Sequence, residues 1–212
     1  MRRHHLLALA LLAFVCVLPL SALAEEAGPP VDGKTLDPAH TAATFRIRHI
    51  VGTIAGRFNT VSGSIDIPAK APAKGHVQLT LATDSVDTGV AARDKHLRTP
   101  DFFDATTFPQ MTFTSTAITP AGKGVYRVTG RLTIKDVTKT VTIPVRYTGT
   151  KAHPAMPCVD VSGYEASLTL NRLDYHVGTG KFFKMGMVGD MVEIRLSGEV
   201  LAPRPGCVKP AQ

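Results

Sequence analysis

The sequence has few long apolar stretches. Only one uninterrupted run stands out, from Leu6 to Leu20. A membrane-spanning helix needs about 20 predominantly apolar residues, so a spanning anchor is not indicated. The run follows basic Arg2 and Arg3 and leads to Ala22-Leu23-Ala24, which is typical of a secretory signal peptide with an Ala-x-Ala cleavage site. We therefore expect residues 1–24 to be cleaved and the mature chain to be exported as a soluble protein.

The sequence also lacks the short motifs of several enzyme classes. Val61-Ser62-Gly63-Ser64 departs from the Gly-x-Ser-x-Gly nucleophile elbow of hydrolases. A glycine-rich phosphate loop is missing, and the histidines show neither His-x-His nor His-Glu-x-x-His spacing beyond the signal segment. Serine-nucleophile hydrolysis and nucleotide chemistry are therefore not indicated, and no metal site is predicted.

Charge of one sign is not concentrated anywhere in the chain. The 24 basic and 17 acidic residues give a formal net charge of +7, with no run of lysine or arginine. A nucleic-acid partner is therefore not predicted. A moderate positive charge suits an anionic head group or a membrane surface, so transient contact with a membrane is an expected property.

Cysteine is scarce, and its positions are informative. Cys16 lies in the signal segment, which leaves Cys158 and Cys207 in the mature chain. An even pair in an oxidising compartment indicates a disulfide, which would pin the proline-containing tail to the domain. A redox-active pair is the alternative, although the Cys-x-x-Cys spacing is missing.

Alternating apolar and polar residues dominate the rest of the chain. Tyr126, Val128 and Leu132 alternate with polar neighbours, and Val192 and Ile194 do the same. A period of two indicates strands with one buried face. Glycine- or aspartate-containing turns between the runs favour antiparallel hairpins. The sequence predicts eight strands, near residues 40–51, 53–67, 75–86, 108–119, 123–135, 138–150, 160–174 and 187–201.

One segment, Thr88 to Asp104, breaks the alternation. Within it Ala91 to Leu97 is typical of a helix, and Pro100 would end it. Eight long antiparallel strands can close into a barrel that holds one small ligand. A filled two-sheet sandwich fits the same pattern, so the strand pattern leaves the two architectures open.

Two clusters in this region have both a structural and a ligand-binding interpretation. Arg93, Asp94 and His96 lie within one helical turn, where a structural ion pair and a site for a polar head group are both compatible with the sequence. Aromatic residues make up 6% of the chain, yet three phenylalanines gather just beyond the predicted helix. They would plug the barrel or contact a ligand; they are Phe102, Phe103 and Phe108.

Several separated blocks resemble the YceI-like family of lipid/polyisoprenoid-binding proteins. They keep their order over nearly all of Leu36 to Leu201. The blocks are Leu36-Asp37-Pro38-Ala39-His40-Thr41, Phe45-Arg46-Ile47-Arg48-His49, Gly56-Arg57-Phe58, Gly63-Ser64-Ile65, Ser85-Val86-Asp87-Thr88-Gly89, Arg93-Asp94, His96-Leu97, Asp101-Phe102-Phe103-Asp104, Phe108-Pro109, Gly130 to Lys139, Pro144-Val145, Leu170 to Tyr175 and Val188-Gly189-Asp190. Two departures are His176, where many relatives have glycine, and an insertion carrying Pro154, Pro157 and Cys158.

The resemblance implies an all-β fold: an extended eight-stranded antiparallel lipocalin-like barrel with one short helix after the third strand. We expect a flexible lead-in at residues 25–35, the YceI-like domain at 36–202 and a tail at 203–212. The implied function is that of a non-catalytic periplasmic carrier holding a long isoprenoid-type lipid, a polyprenyl phosphate or an isoprenoid quinone, with no other cofactor. An enzyme acting on a lipid or quinone in the same cavity is the alternative, and a homodimer is left open.

The tunnel-lining candidates are inward-facing apolar residues of the predicted strands together with two phenylalanines of the central segment. They are Phe45, Ile47, Phe58, Leu79, Leu81, Phe102, Phe103, Phe113, Tyr126, Val128, Val145, Leu168, Leu170 and Ile194. The candidates for the polar end of the tunnel are Arg93, His96 and Arg172.

Overall fold

The computed structural model describes residues 33–207. The predicted signal peptide, residues 1–24, lies outside the described residues, as do most of the lead-in and the end of the tail. Within the described part of the chain, no helix is both long and apolar enough to cross a membrane.

Strands account for most of the described chain. Two short α-helices, α1 (Ala91–Leu97) and α2 (Lys181–Lys184), and four 3-10 turns interrupt them. The strands are β1 (Thr35–Leu36), β2 (Ala42–His49), β3 (Gly52–Phe58), β4 (Val61–Asp66), β5 (His76–Ala82), β6 (Val86–Asp87), β7 (Gln110–Gly122), β8 (Val125–Ile134), β9 (Val137–Ala152), β10 (Val159–Asn171) and β11 (Val188–Pro203).

The sheet closes because one predicted strand changes partner halfway along. The run predicted at residues 53–67 divides at Asn59 and Thr60 into β3, which pairs with β2, and β4, which pairs with β5. The order then continues through β7, β8, β9, β10 and β11 back to β2, and β1 bridges β11 and β4. Counting β3 and β4 as one bent strand gives a closed eight-stranded antiparallel barrel. The predicted fold class is confirmed, and the sandwich alternative is excluded.

Several predicted boundaries shift where a strand meets a turn. The run predicted at 75–86 stops at Ala82 and continues as a 3-10 turn at Thr83–Ser85 before the two-residue β6. The run predicted at 160–174 stops at Asn171, whose side chain accepts a hydrogen bond from the Leu173 amide and caps a second 3-10 turn. Strand β1 begins at Thr35, inside the predicted lead-in. The alternation of apolar and polar residues does not by itself reveal where these strands begin and end.

The connections divide between two ends of the barrel. One end carries short connections at residues 67–75, 123–124 and 153–158, and we call it the turn end. The other carries residues 50–51, 83–109, 135–136 and 172–187, which include α1 and α2, and we call it the helix end.

The interior contains two apolar clusters of different character. The first fills the barrel towards the turn end and is made of Leu36, Ala43, Val61, Ile65, Ile67, Val77, Phe113, Ile118, Tyr126, Val128, Val145, Tyr164 and Val200. The second lies at the helix end and is made of Phe58, Val86, Phe102, Met111, Ile134, Tyr175 and Val177. Burial of Tyr164 in the first cluster raises the pKa of its hydroxyl to about 12.

Phe113 lies where the two clusters meet, and Gly130 makes room for it. A Cβ atom on Gly130 would come within 2.5 Å of the Phe113 Cζ atom. Because glycine has no side chain, the phenyl ring packs directly against the β8 backbone. The ring is therefore part of the filled core on one side and faces the space at the helix end on the other.

The disulfide predicted between Cys158 and Cys207 is present and joins the start of β10 to the segment after β11. The two Cα atoms are 5.4 Å apart and the residues are separated by 49 positions in sequence. The same segment is held by the Arg204 amide, which donates to the Cys158 carbonyl at 2.7 Å, and by Arg204 Nε, which donates to Asp160 at 2.8 Å. The tail is thus fastened at the turn end.

Replacing both cysteines with serine should lower the free energy of unfolding by up to about 4 kcal/mol, because the closed loop restricts the unfolded chain. Urea unfolding of the oxidised protein and of the Cys158→Ser/Cys207→Ser variant measures the difference. Reduced wild-type protein is the control and should match the variant. Equal midpoints for oxidised and variant protein would contradict the prediction.

Candidate functional site

A cavity of about 390 Å³ occupies the helix end of the barrel. Its wall consists of inward-facing side chains from β2, β3, β5 and β7 to β11, together with residues of α1, α2 and their flanking segments. Because alternate residues of a strand point to the same side of a sheet, each strand presents apolar side chains to the cavity and polar ones to solvent. The volume lies in the range of small-molecule binding sites, about 300–1,000 Å³.

Most of the predicted tunnel residues line this cavity. They come from separate strands and from the segment after α1, so they meet only because the barrel closes. They are Phe45, Ile47, Phe58, Leu79, Leu81, Phe102, Phe103, Phe113, Leu168, Leu170 and Ile194.

Three predicted tunnel residues lie elsewhere. Tyr126, Val128 and Val145 belong to the filled cluster towards the turn end and are not part of the cavity wall. Their side chains point inward, as the alternation predicts, but they lie too far along their strands from the helix end. A packing role therefore replaces the predicted tunnel role for these three residues.

Several other residues that line the cavity were not among the tunnel candidates predicted from the sequence. Four of them continue the alternation of apolar and polar residues that the sequence shows plainly, and this pattern could have identified them: Leu132 and Ile134 on β8, and Val192 and Leu196 on β11. Residues of irregular segments follow no period that would identify them. The remaining apolar lining residues are Ala43, Ile54, Leu97, Met111, Ile143, Ala166, Tyr175, Val177, Phe182, Met187 and Val188.

Phenylalanines at the helix end form two contacting groups around the cavity. Phe102 stacks on Phe182 with ring centroids 5.8 Å apart and planes 7° apart, and His96 contacts both rings edge-on. Phe103 contacts Phe58 edge-on at 5.5 Å. These rings pack against one another and also face the cavity, so Phe102 and Phe103 both close the helix end of the barrel and line the space inside it.

The predicted polar group on α1 is organised by Thr88. The Arg93 guanidinium donates to the Thr88 hydroxyl at 2.7 Å and to its carbonyl at 2.9 Å. Buried Asp94 accepts hydrogen bonds from the Thr88 amide and hydroxyl. Arg93 and Asp94 are therefore linked through Thr88, in place of the direct ion pair that was one of the expectations. His96 pairs instead with Asp101, at 2.9 Å.

Arg172 is a buried cation at the cavity wall. Its side chain donates hydrogen bonds to the carbonyls of Gly189 at 2.7 Å, Val177 at 2.7 Å and Val188 at 3.4 Å. Burial lowers the pKa of the guanidinium, and the nearby charge of Asp190 opposes this effect. Arg172 therefore holds both ends of the segment between β10 and β11, and this segment supplies Phe182 and Met187 to the cavity.

Lys135 and His176 fasten the same segment from the outside. His176 has a positive φ of 55°, a backbone conformation that glycine adopts without strain. Its ring lies 3.0 Å from the Asp136 carboxylate. Lys135 donates to the carbonyls of His176 and Phe102 at 2.9 and 3.0 Å. His176, which stands where many relatives have glycine, therefore keeps the backbone turn that glycine would favour.

A group of potential metal ligands lies away from the cavity. Asp37, His40 and Glu199 bring their side-chain ligand atoms within 4.8 Å of one another. Asp37 accepts hydrogen bonds from the Ala39 amide and pairs with His40 at 2.6 Å. Burial is the largest single effect and raises the pKa of Asp37, but the two hydrogen bonds together with the nearby histidines outweigh it, so the pKa lies below its usual value. Asp37 caps a 3-10 turn that ends at His40, and none of the three residues lines the cavity.

Substituting Arg172 with methionine should lower the free energy of unfolding by about 3 kcal/mol, because three backbone carbonyls lose a charged donor. Amide hydrogen exchange should also accelerate in residues 177–189. Chemical denaturation and exchange mass spectrometry measure the two effects. Arg131→Met, at an exposed position of β8, is the matched control. An equal effect of both substitutions would contradict the role assigned to Arg172.

Known proteins share this barrel. A UPF0312 protein of Yersinia enterocolitica is 37% identical over 161 residues, which are 76% of this chain and 80% of that protein. The crystal structure of BcnA from Burkholderia cenocepacia matches with a TM-score of 0.69 at 30% identity, covering 79% of this chain and 99% of that one.

A polyisoprenoid binding domain from Saccharophagus degradans, implicated in plant cell wall breakdown, matches with a TM-score of 0.61. The match covers 82% of this chain and 100% of that domain at 17% identity, so it shows a shared fold only. The sequence itself matches the YceI-like domain over residues 35–200. Because this match extends over most of the chain, the protein belongs to the YceI-like family.

Proposed function

We propose that this protein is a carrier that holds the apolar chain of an isoprenoid-type lipid in the helix-end cavity without altering it chemically. One observation carries the proposal: the cavity of about 390 Å³ has a wall made almost wholly of apolar side chains. An apolar cavity gives water few hydrogen-bond partners, and such cavities take up apolar molecules.

Burial of the chain supplies the binding free energy. Each CH₂ group removed from water contributes about 0.8 kcal/mol. Affinity should therefore rise with chain length until the cavity is full. The aromatic rings around the cavity add contact area without requiring a polar partner on the ligand.

The charged residues at the cavity favour a ligand whose head group lies outside. A fatty acid bound head-first would need a cation with free donors. Arg172 directs its donors to backbone carbonyls, and Arg93 directs its own to Thr88. Selectivity for the head group should accordingly be weak. A polyprenyl phosphate and an isoprenoid quinone both satisfy this condition.

Two further observations support the class of ligand and the compartment. The related Saccharophagus domain is described as polyisoprenoid binding, and the family resemblance carries the same implication. The disulfide between Cys158 and Cys207 is of the kind that persists in oxidising compartments. Export to the periplasm through a cleaved signal peptide at residues 1–24 is part of the proposal.

An enzyme acting on a lipid or quinone in the same cavity is the alternative function. The contact between His96, which lines the cavity, and Asp101 is the feature that an acid-base mechanism would use. The carrier proposal predicts that bound lipid is recovered unchanged after prolonged incubation, whereas an enzyme would release a modified product.

The primary test is native mass spectrometry of protein purified without detergent from a bacterial periplasm, followed by extraction and identification of the lipid. We expect one apolar adduct of isoprenoid type per protein. A clean apoprotein mass that does not shift after incubation with isoprenoid quinones and polyprenyl phosphates would refute the carrier proposal.

Filling the cavity should weaken binding without unfolding the barrel. Leu132→Trp and Leu170→Trp place an indole in the empty space and should weaken isoprenoid binding at least about tenfold, since roughly two or more CH₂ contacts are lost. Val128→Ala, in the filled cluster, is the matched control and should lower the free energy of unfolding by about 2 kcal/mol without changing affinity. Ligand titration and urea unfolding measure the two quantities. Unchanged affinity in both tryptophan variants would place the ligand elsewhere.

A further inference from the structure

Large apolar side chains are exposed at one end of the barrel. Val51 is 95% exposed, Met185 59% and Phe183 44%. In the described part of the chain, every exposed large apolar residue lies in or beside the helix-end segments; the six are Ile50, Val51, Val90, Phe183, Met185 and Met191. Scattered exposed apolar residues are ordinary on protein surfaces, but their concentration at one end indicates an interaction site.

Four of these exposed residues lie on two neighbouring segments, and we call them the apolar rim: Ile50, Val51, Phe183 and Met185. The first two form the β2–β3 turn, and the other two lie in and after α2. The Ile50 amide donates to the Met187 carbonyl at 2.9 Å, and Val188 pairs with His49. The turn and the α2 segment are therefore held side by side.

The apolar rim adjoins the cavity. Phe182 faces inward and stacks on Phe102, whereas the next residue, Phe183, is exposed. On the other side, His49 lines the cavity, whereas Ile50 is exposed. An apolar molecule moving out of the cavity at this place would pass directly onto the rim.

The charge around the rim is positive. Lys181 and Lys184 flank Phe183, Arg48 precedes the turn, and residues 42–58 and 177–187 contain no Asp or Glu. Three carboxylates elsewhere at the helix end have basic side chains as partners: Asp174 contacts the Lys139 ammonium, Asp101 contacts the His96 imidazole, and Asp136 contacts the His176 imidazole. Exposed apolar side chains among lysine and arginine are typical of surfaces that enter the interface of an anionic bilayer.

We propose that the apolar rim docks on anionic phospholipid bilayers, with Val51, Phe183 and Met185 entering the interface and the cavity directed at the membrane. An isoprenoid chain would then pass between bilayer and cavity without crossing water. This last step rests on the proposed function, whereas docking itself does not. A second copy of the chain is a poorer occupant, because Lys181 and Lys184 of two copies would repel across a symmetric contact.

The test is flotation of the apoprotein with vesicles of phosphatidylcholine alone or mixed with phosphatidylglycerol. We expect binding to the anionic vesicles, weakened by salt. Val51→Asp and Phe183→Asp should each reduce it at least about tenfold, and Lys181→Glu/Lys184→Glu should reduce it by about fivefold per charge on anionic vesicles only. Because the first two positions are exposed, the variants should keep wild-type unfolding midpoints.

Matched controls lie at exposed positions near the turn end. Ala121→Asp and Lys123→Glu introduce the same changes at the β7–β8 hairpin and should leave vesicle binding unaltered. Absence of wild-type binding to anionic vesicles, or equal losses in the control variants, would overturn the proposal. So would a dimer in solution that Val51→Asp dissociates, because the rim would then contact a second copy.

Native mass spectrometry of the same variants distinguishes docking on a membrane from binding of an isoprenoid. Val51→Asp protein that retains its isoprenoid adduct but loses vesicle binding supports both proposals. Wild-type protein that binds vesicles but takes up no isoprenoid supports docking and refutes the carrier function. Wild-type protein that takes up isoprenoid but does not bind anionic vesicles refutes the docking proposal and leaves the carrier proposal standing.

Discussion

The structure depends on the pairing of strand edges. An unpaired edge leaves a row of amide and carbonyl groups without partners, and closure of the sheet removes it. Here closure depends on the bend at Asn59 and Thr60, where one run of sequence leaves β2 and joins β5. The short strand β1 completes the seam between β11 and β4. Once the barrel closes, alternate side chains of every strand share one interior, and the apolar pattern of the sequence becomes a common lining.

That interior is filled at one end and hollow at the other. Small and branched side chains with two tyrosines occupy the turn end, and Phe113 over Gly130 marks the boundary. At the helix end, α1 and the segment between β10 and β11 cover the barrel without filling it. The buried guanidinium of Arg172 stabilises this cover by binding three backbone carbonyls. The polar contacts of Arg172, at the edge of the apolar wall, therefore help to preserve the cavity.

Sequence periodicity predicted which side chains point inward, and the family resemblance selected the barrel over a sandwich. Neither indicated how far along a strand the cavity extends, because alternation repeats identically from end to end. Tyr126 and Val128 therefore resembled Leu132 and Ile134, although only the latter two line the cavity. Phe182 and Met187 lie in an irregular segment with no period to identify them. Arg93 donates to the hydroxyl and the carbonyl of Thr88, and Arg172 donates to backbone carbonyls. The spacing of charged residues predicts neither set of partners.

The separation of the two apolar clusters has a consequence for evolution and for engineering. Thirteen buried residues form the cluster at the turn end, where Cys158 and Cys207 fasten the tail. Six of the seven buried residues of the helix-end cluster line the cavity, against two of these thirteen. Mutations that enlarge, shorten or reshape the cavity thus leave the turn-end cluster largely untouched. A barrel built on this plan can therefore vary the size and shape of its cavity, in evolution or by design, while it keeps the same scaffold.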